Sequence, residues 1–375
     1  IGPVSTFYSD NQIEGFRARL GGKTTKKFSE RIQLETYGVY GFKDEQWKYF
    51  VGVKKAIGPK SYLDFPQKNI YVSYQHETKI PGQELQFVQE DNALLSFKRG
   101  KNDKLLYNKT FNLELQNENA NNFSYTIGFQ NLIQSPAGTL HFNKIDYNDT
   151  TGNSINEIET SSFNILMRYA PHEKFYQGKT YRTPMLNEYP IMWVRYEYSK
   201  KDFLKSDYSY HTLTANIFKR AFVAPFGYSD IEVEAGKIFG QVPYPLLEIH
   251  RANQTFSYQL QSYNLMNFLE FVSDEYFSVN FTHYFNGFFF NKIPLFKKLK
   301  WREVATFKLL YGRITDENDP AQHADLFRLP TNPDGTKLTY SLEARPYMEA
   351  SIGITNIFKL IRIDLIKRLS YLEHQ

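Results

Sequence analysis

With 375 residues, 17% of them aromatic, no cysteine and a formal net charge of only +5, the chain is long enough for two or three soluble domains or one large barrel. No stretch approaches the roughly eighteen consecutive apolar residues of a membrane-spanning helix, and no basic run interleaves with a nucleic-acid motif, so a helical membrane protein is excluded and no nucleic acid is expected as a partner. Mean hydropathy is −0.52 although Phe (32) and Tyr (28) abound, a pairing that suits strands with one apolar face and interfacial aromatic girdles.

The first segment runs to Leu20, with Phe16, Ala18 and Leu20 on one face and Arg17 and Arg19 on the other, before a turn at Gly21-Gly22-Lys23. From Phe28 to Phe42, Ile32, Leu34, Tyr40 and Phe42 oppose Arg31, Gln33 and Glu35, and Lys43-Asp44-Glu45 makes a short turn. Trp47, Tyr49, Val51 and Val53 then oppose Lys48 and Lys54. At mid-depth in lipid each Arg or Lys would cost roughly 2–4 kcal/mol, so the charged face is expected to line a lumen.

Further alternating runs fall near 69–78, 84–98, 108–118, 123–131, 158–169, 191–199, 208–222 and 229–238. In two of them Arg168 opposes Phe163, Ile165, Met167 and Tyr169, and Arg195 and Glu197 oppose Met192, Val194, Tyr196 and Tyr198. The stretch 84–131 is sparse in apolar residues and reads equally as a hairpin projecting above a membrane. Over 271–303, Phe277, Val279, Phe281 and Phe285 alternate with Ser278, Asn280, Thr282 and Tyr284, a basic turn follows, and Ala305, Phe307, Leu309 and Tyr311 then oppose Thr306 and Lys308. Strands 346–354 and 357–369 complete the series, the second carrying Arg362, Asp364 and Arg368 opposite Ile361, Ile363, Leu365 and Leu369.

Connections near 21–27, 43–46 and 355–356 are short, whereas 132–157, 239–273 and 314–345 are long and polar. Short turns on the periplasmic side and long loops outside are the rule in outer-membrane barrels, which orients the chain. The pattern predicts an all-β fold, a transmembrane antiparallel β-barrel with fifteen visible strands. Because single-chain bacterial barrels have even strand numbers, about sixteen are expected, the last lying beyond Gln375. Residues 1–375 then form a single barrel domain, a fragment of a longer chain, in contact with outer-membrane lipid.

Few residues invite a chemical role. The basic turn Lys292, Lys297, Lys298, Lys300 and Arg302 reads as a solvated periplasmic turn anchoring strand ends, with lipid headgroups or a periplasmic protein as the functional alternative. An ester hydrolase would need a serine beside its base, but two residues beyond His283 stands Phe285, so His283 reads as structural. The remaining histidines have no zinc-ligand spacing, the acidic run Asp316, Glu317, Asn318 and Asp319 lacks the alternation of a calcium loop, and no glycine-rich phosphate loop occurs. No cofactor, metal or catalytic residue is expected. The charges Arg17, Arg19, Arg31, Glu35, Arg168, Arg195, Glu197, Arg362, Asp364 and Arg368 either line a polar path or pair across a filled lumen.

The segments EGFRARLGGKT (14–24), YGVYGFKDEQWKY (37–49), FGQVPYPLLEIH (239–250), YNLMNFLEFVSDEYFSVNFTHYFNGFFFNKIPLFKKLKWRE (263–303) and ASIGITNIFKLIRIDLIKRLSYL (350–372) resemble the C-terminal barrel of an uncharacterised Bacteroidota outer-membrane family. Its members carry an N-terminal carboxypeptidase-regulatory-like domain, and it is similar to the BamA superfamily of sixteen-stranded barrels. In that superfamily the loop between strands eleven and twelve folds into the lumen and carries an Arg-Gly motif. The corresponding loop here, 239–273, has no Arg-Gly pair, and His250, Arg251 and Asn253 are its candidates. The resemblance implies a non-enzymatic barrel in the outer membrane of a Gram-negative cell, assisting insertion, translocation or anchoring of envelope proteins. A passive pore or transporter for small polar solutes is the alternative.

Overall fold

A computed structural model describes residues 8–82, 103–144, 154–178, 180–185, 187–255, 257–332, 334–342 and 345–374. Fifteen strands form one antiparallel sheet in chain order, each beside its sequence neighbour. They are β1 (Tyr8–Asn11), β2 (Gly15–Lys23), β3 (Ile32–Gly41), β4 (Trp47–Ala56), β5 (Lys68–Lys79), β6 (Lys104–Glu118), β7 (Phe123–Gly138) and β8 (Ile158–Tyr169). β9 (Ile191–Ser199), β10 (Tyr210–Phe222), β11 (Tyr228–Phe239), β12 (Glu275–Tyr284), β13 (Arg302–Arg313), β14 (Tyr347–Ile357) and β15 (Ile361–Arg368) follow. One short helix, α1 (Pro294–Leu299), lies between β12 and β13.

Alternation decides the two faces. Phe16, Leu20, Trp47, Val51, Phe163 and Phe277 are exposed on one face, while Lys48, Ser278, Thr306 and Lys308 are buried on the other. This is the inverse of a soluble barrel and the arrangement of a transmembrane one. The sheet curls around its polar face: Lys104 at the start of β6 and His374 beyond β15 line one cavity of about 500 Å³. The buried apolar residues are therefore not between strands and helices. The largest group of them gathers at one end, where Leu140, Phe142, Val242, Tyr244, Leu269 and Phe327 from three long connections pack together.

The sheet departs from the sequence reading at named places. β1 is a separate strand, not the start of a segment running to Leu20. The Asn11 side chain accepts the backbone N–H groups of Ile13 (3.1 Å) and Glu14 (2.8 Å), and Gly15 takes φ +62°, which together reverse the chain. The run 84–98 lies outside the described residues. β5 and β6, on either side of it in the chain, pair directly from Lys68↔Asn117 to Lys79↔Leu106. The described residues thus form a sheet of fifteen strands, one of them the added β1. Among the described residues no pairing joins β1 to β15.

Strict antiparallel alternation puts connections 24–31, 57–67, 119–122, 170–190, 223–227, 285–301 and 358–360 at one end and the rest at the other. The short turn at 42–46, grouped by length with 21–27, therefore belongs to the end that carries the long loops 240–274 and 314–346. Length misplaced it because a tight hairpin is compatible with either end. The last turn falls at 358–360 rather than 355–356, because β14 continues to Ile357 through an irregularity between Ile354 and Ile357.

Candidate functional site

The connection between β11 and β12 does not stay outside the sheet. Its base is a two-rung stem, Glu248↔Ser273 and Ile249↔Val272, that turns residues 250–271 back over the polar face. His250 is buried at this stem, its Nε2 2.8 Å from Ser273 Oγ and its ring edge-on to Tyr276 at 5.3 Å. Burial, reinforced by the adjacent Arg251 charge, lowers its pKa to about 3, so the imidazole is neutral. Asn253 shapes the tip: its amide nitrogen donates to the carbonyl of Ser257 (2.7 Å) and to Asn264 Oδ1 (2.8 Å), while its oxygen accepts from the backbone and hydroxyl of Thr255. A β11–β12 loop with this much internal bonding is a built element rather than a solvated connection.

The loop is seated by apolar and ionic contacts together. Ala252, Tyr263, Met266, Phe268 and Phe271 pack on Leu310, Leu342, Tyr347 and Tyr371. Arg251 donates to Glu234 of β11 at 2.6 Å, and Glu234 also accepts from Tyr276 at 3.0 Å. Lys308 of β13 donates to the loop carbonyls of Gln259 (3.0 Å) and Ser262 (2.5 Å), with Glu349 of β14 at 3.7 Å. Glu349 in turn accepts the backbone N–H groups of Asn264 (2.9 Å) and Leu265 (3.1 Å). Arg368 of β15 forms two hydrogen bonds with Glu270 of the loop, at 2.5 and 3.1 Å, and a third to the Leu265 carbonyl at 3.3 Å.

These wall residues are lateral neighbours. Sheet register aligns Glu232, Asn280, Lys308, Glu349 and Arg368 in one row across β11 to β15. The loop lies on the Lys308, Glu349 and Arg368 part of that row and supplies opposite charges or backbone groups to it. Its own Arg251 and Glu270 are balanced by Glu234 and Arg368, so no buried charge is left uncompensated here, as burial in low dielectric demands.

The other expected lumen charges are distributed along the wall. Arg17 bonds Glu77 (2.6 Å) and Glu14 (3.2 Å), and Arg19 stands 3.6 Å above the Tyr37 ring. Glu35 pairs with Lys23, Arg168 with Glu173, and Arg362 with Asp364. Glu197 accepts from Tyr210, and Arg362 also covers the ring of the loop residue Tyr258 at 4.3 Å. Arg31 precedes β3 and is exposed, as is Arg195. Lys292, Lys297, Lys298 and Lys300 are exposed, and Arg302 is half-buried, at the end away from the long loops. Of these residues only Arg251, Arg362 and Arg368 meet the infolded loop or belong to it, together with His250 and Asn253. Lys308 stands on the polar face that alternation predicts, whereas Glu234, Glu270 and Glu349 carry no signal of their own in the sequence, although Glu234 and Glu349 occupy inward positions of recognisable strands.

His283 does have a serine partner, contrary to the sequence reading. Ser229 is its register neighbour on β11, and the Ser229 hydroxyl lies 2.8 Å from His283 Nδ1 while Nε2 faces the Phe226 carbonyl at 2.9 Å. A carbonyl can only accept, so Nε2 carries the proton and Nδ1 accepts from the serine. The two lie 54 residues apart, beyond the reach of a short motif. Ser229 is buried, and the ring is flanked by Phe285 at 4.3 Å. Among the described residues no cluster of three or more His, Asp or Glu side chains is arranged to hold a metal ion.

The profile of a family of unknown function, the DUF5686 C-terminal domain, matches residues 2–318. No curated protein matches the chain. Among solved structures, BamA from Haemophilus ducreyi lacking POTRA domains 1–3 superposes with a TM-score of 0.54 at 10% identity, over 96% of this chain and 65% of that one. CdiB from Acinetobacter baumannii gives 0.41 at 10% identity, over 92% and 52%, and the in-vitro folded outer-membrane protein OmpT of Vibrio cholerae 0.33 at 10%, over 90% and 87%. The chain thus spans 65% of the length of that BamA chain, and the likeness shows a shared barrel fold.

Proposed function

Since the chain belongs to the DUF5686 C-terminal domain family and takes a BamA-like barrel fold, we propose that it is a barrel of the Gram-negative outer membrane that assists insertion, translocation or anchoring of envelope proteins. The observation that carries this reading is the buried Arg368–Glu270 pair, which ties the infolded loop to β15, the last strand of the sheet. The seam where the first and last strands of a barrel meet is the one edge it can open, and unpaired backbone groups there are the natural template for an incoming strand. A loop gripping that strand from the lumen side is placed to couple its own position to whether the edge is closed or available. Residues 1–375 act in this reading as one barrel domain, the loop as its moving part and the wall as its rigid frame.

The test is capture of clients in native membranes. A photo-crosslinker at Leu365, which faces outward on β15, should trap envelope proteins, and deletion of 245–265 should abolish both capture and function while the barrel still forms. Normal function in the deletion variant overturns the role of the loop. Planar-bilayer recording separates this reading from a passive pore: a steady, ion-selective open conductance in the intact protein favours the pore.

A further inference from the structure

The β12–β13 turn has a composition that neither the barrel nor the loop requires. From Phe285 to Arg302 it holds five cations, Lys292, Lys297, Lys298, Lys300 and Arg302, and no carboxylate, which equals the +5 of the entire chain. Among the described residues, none of these five pairs with an acidic side chain. Elsewhere on the wall Arg17, Arg168, Arg220 and Arg362 all do.

The cations are interleaved with fixed apolar groups. Phe296 of α1 stacks between Phe290 (4.5 Å) and Trp301 (5.4 Å), which holds the helix against the turn. Phe289, Ile293, Leu295 and Leu299 are left exposed. Lys292 Nζ lies 4.4 Å over the Phe288 ring, a cation set directly on an aromatic face. Two neighbouring turns at the same end continue the surface. Phe226 contacts Phe288 at 4.7 Å, and Asn356 Nδ2 donates to the Lys300 carbonyl at 2.6 Å beside the exposed Phe358 and Leu360.

Exposed aliphatic and aromatic side chains level with unpaired cations fit an interface with hydrocarbon on one side and phosphate on the other. We infer that this collar docks on a phospholipid leaflet and binds its anionic phosphodiester headgroups, the Phe289–Leu299 apolar groups entering the acyl boundary and the lysines reaching the phosphates. The inference rests on the membrane-barrel reading. It sets the depth of β10 to β15 in the bilayer and gives that end of the protein a preference for anionic lipid. A lysine near an anionic surface contributes roughly a fivefold gain in association, so four of them acting together exceed what side-chain mobility disperses.

The experiment reconstitutes the full chain into vesicles of phosphatidylcholine alone and of an equimolar mixture with phosphatidylglycerol, then extracts it gently and quantifies the retained lipid by mass spectrometry. Phosphatidylglycerol should be enriched, and Lys292→Gln/Lys297→Gln/Lys298→Gln/Lys300→Gln should lose that enrichment by about tenfold or more while keeping heat-modifiable barrel migration. Lys200→Gln/Lys201→Gln/Lys205→Gln, at the other end, should leave it unchanged. Equal retention of the two lipids, or equal loss in both variants, overturns the inference while leaving the barrel reading intact. Preference for lipid A over phosphatidylglycerol in a competition assigns the collar to the opposite leaflet and overturns it too. A chain that enters neither vesicle overturns the barrel reading and the inference together.

Discussion

The guanidinium of Arg368 lies 2.5 Å from the carboxylate of Glu270, and the two side chains are only 0% and 2% exposed. One belongs to β15 and the other to the infolded loop, 98 residues earlier in the chain. Removing one member of a buried pair leaves the other charged and unsolvated. Arg368→Met should therefore destabilise the protein by about 3–5 kcal/mol, and Arg368→Met/Glu270→Leu by less than Arg368→Met alone. Urea midpoints followed by tryptophan fluorescence in vesicles check this, and additive losses in the double variant would count against a direct pair.

Glu349 anchors the loop backbone through Asn264 and Leu265 and balances Lys308. Charge-assisted bonds of this kind contribute about 1.5–3 kcal/mol each, more than their neutral counterparts. In Glu349→Gln the amides of Asn264 and Leu265 should exchange hydrogen about tenfold faster, with the amides of β7 unaffected. Unchanged exchange at those two positions would show that the apolar contacts alone seat the loop.

The neutral state of His250 makes loop seating dependent on acidity. A released loop exposes an imidazole of ordinary pKa, whereas the seated one holds it at about 3, so the released state binds the extra proton. Seating is fully stable above about pH 6.5 and weakens as the pH falls toward 3, by about 1.4 kcal/mol per unit within that window. The groups facing the ring are Arg251, Ser273 and Tyr276, and none of them titrates as an acid there. Proteolysis of the loop with an acid-tolerant protease should accelerate from pH 6 to pH 4, and His250→Gln should flatten the dependence.

The Ser229–His283 pair adds one side-chain hydrogen bond to the β11–β12 ladder, with the Phe226 carbonyl as its third member. Ser229→Ala and His283→Ala should each cost about 0.5–1.5 kcal/mol in stability. A fluorophosphonate probe should leave the protein unlabelled. Labelling that disappears in Ser229→Ala would instead identify a nucleophile and reopen a hydrolytic function.

What could be read from sequence followed the period of two. Phe277, Val279 and Phe281 against Ser278, Asn280 and Thr282 announce a strand and its faces, and the hairpin they begin is indeed β12 and β13. The loop before it was expected to approach the lumen only through family resemblance. Its partners stayed hidden for a physical reason: periodicity says that Lys308 and Glu349 point inward, but not what meets them there. Glu270 sits in an irregular segment with no period at all. The reversal at Asn11–Gly15 was missed because it depends on one side chain bonding its own backbone, and the Ser229–His283 contact because strand pairing, rather than spacing, creates it.

The transverse row from Glu232 to Arg368 also bears on how β15 can move. Inward side chains recur every second residue, so the smallest slip that keeps β15 facing the same way is two positions. Such a slip replaces Arg368 opposite Glu349 by Ile366 or Ser370 and pulls the guanidinium off Glu270, leaving that buried carboxylate without its arginine. A two-residue slip along β14 is thereby penalised in either direction. The buried charges beneath the loop thus fix the register of β15 as a detent fixes a slide.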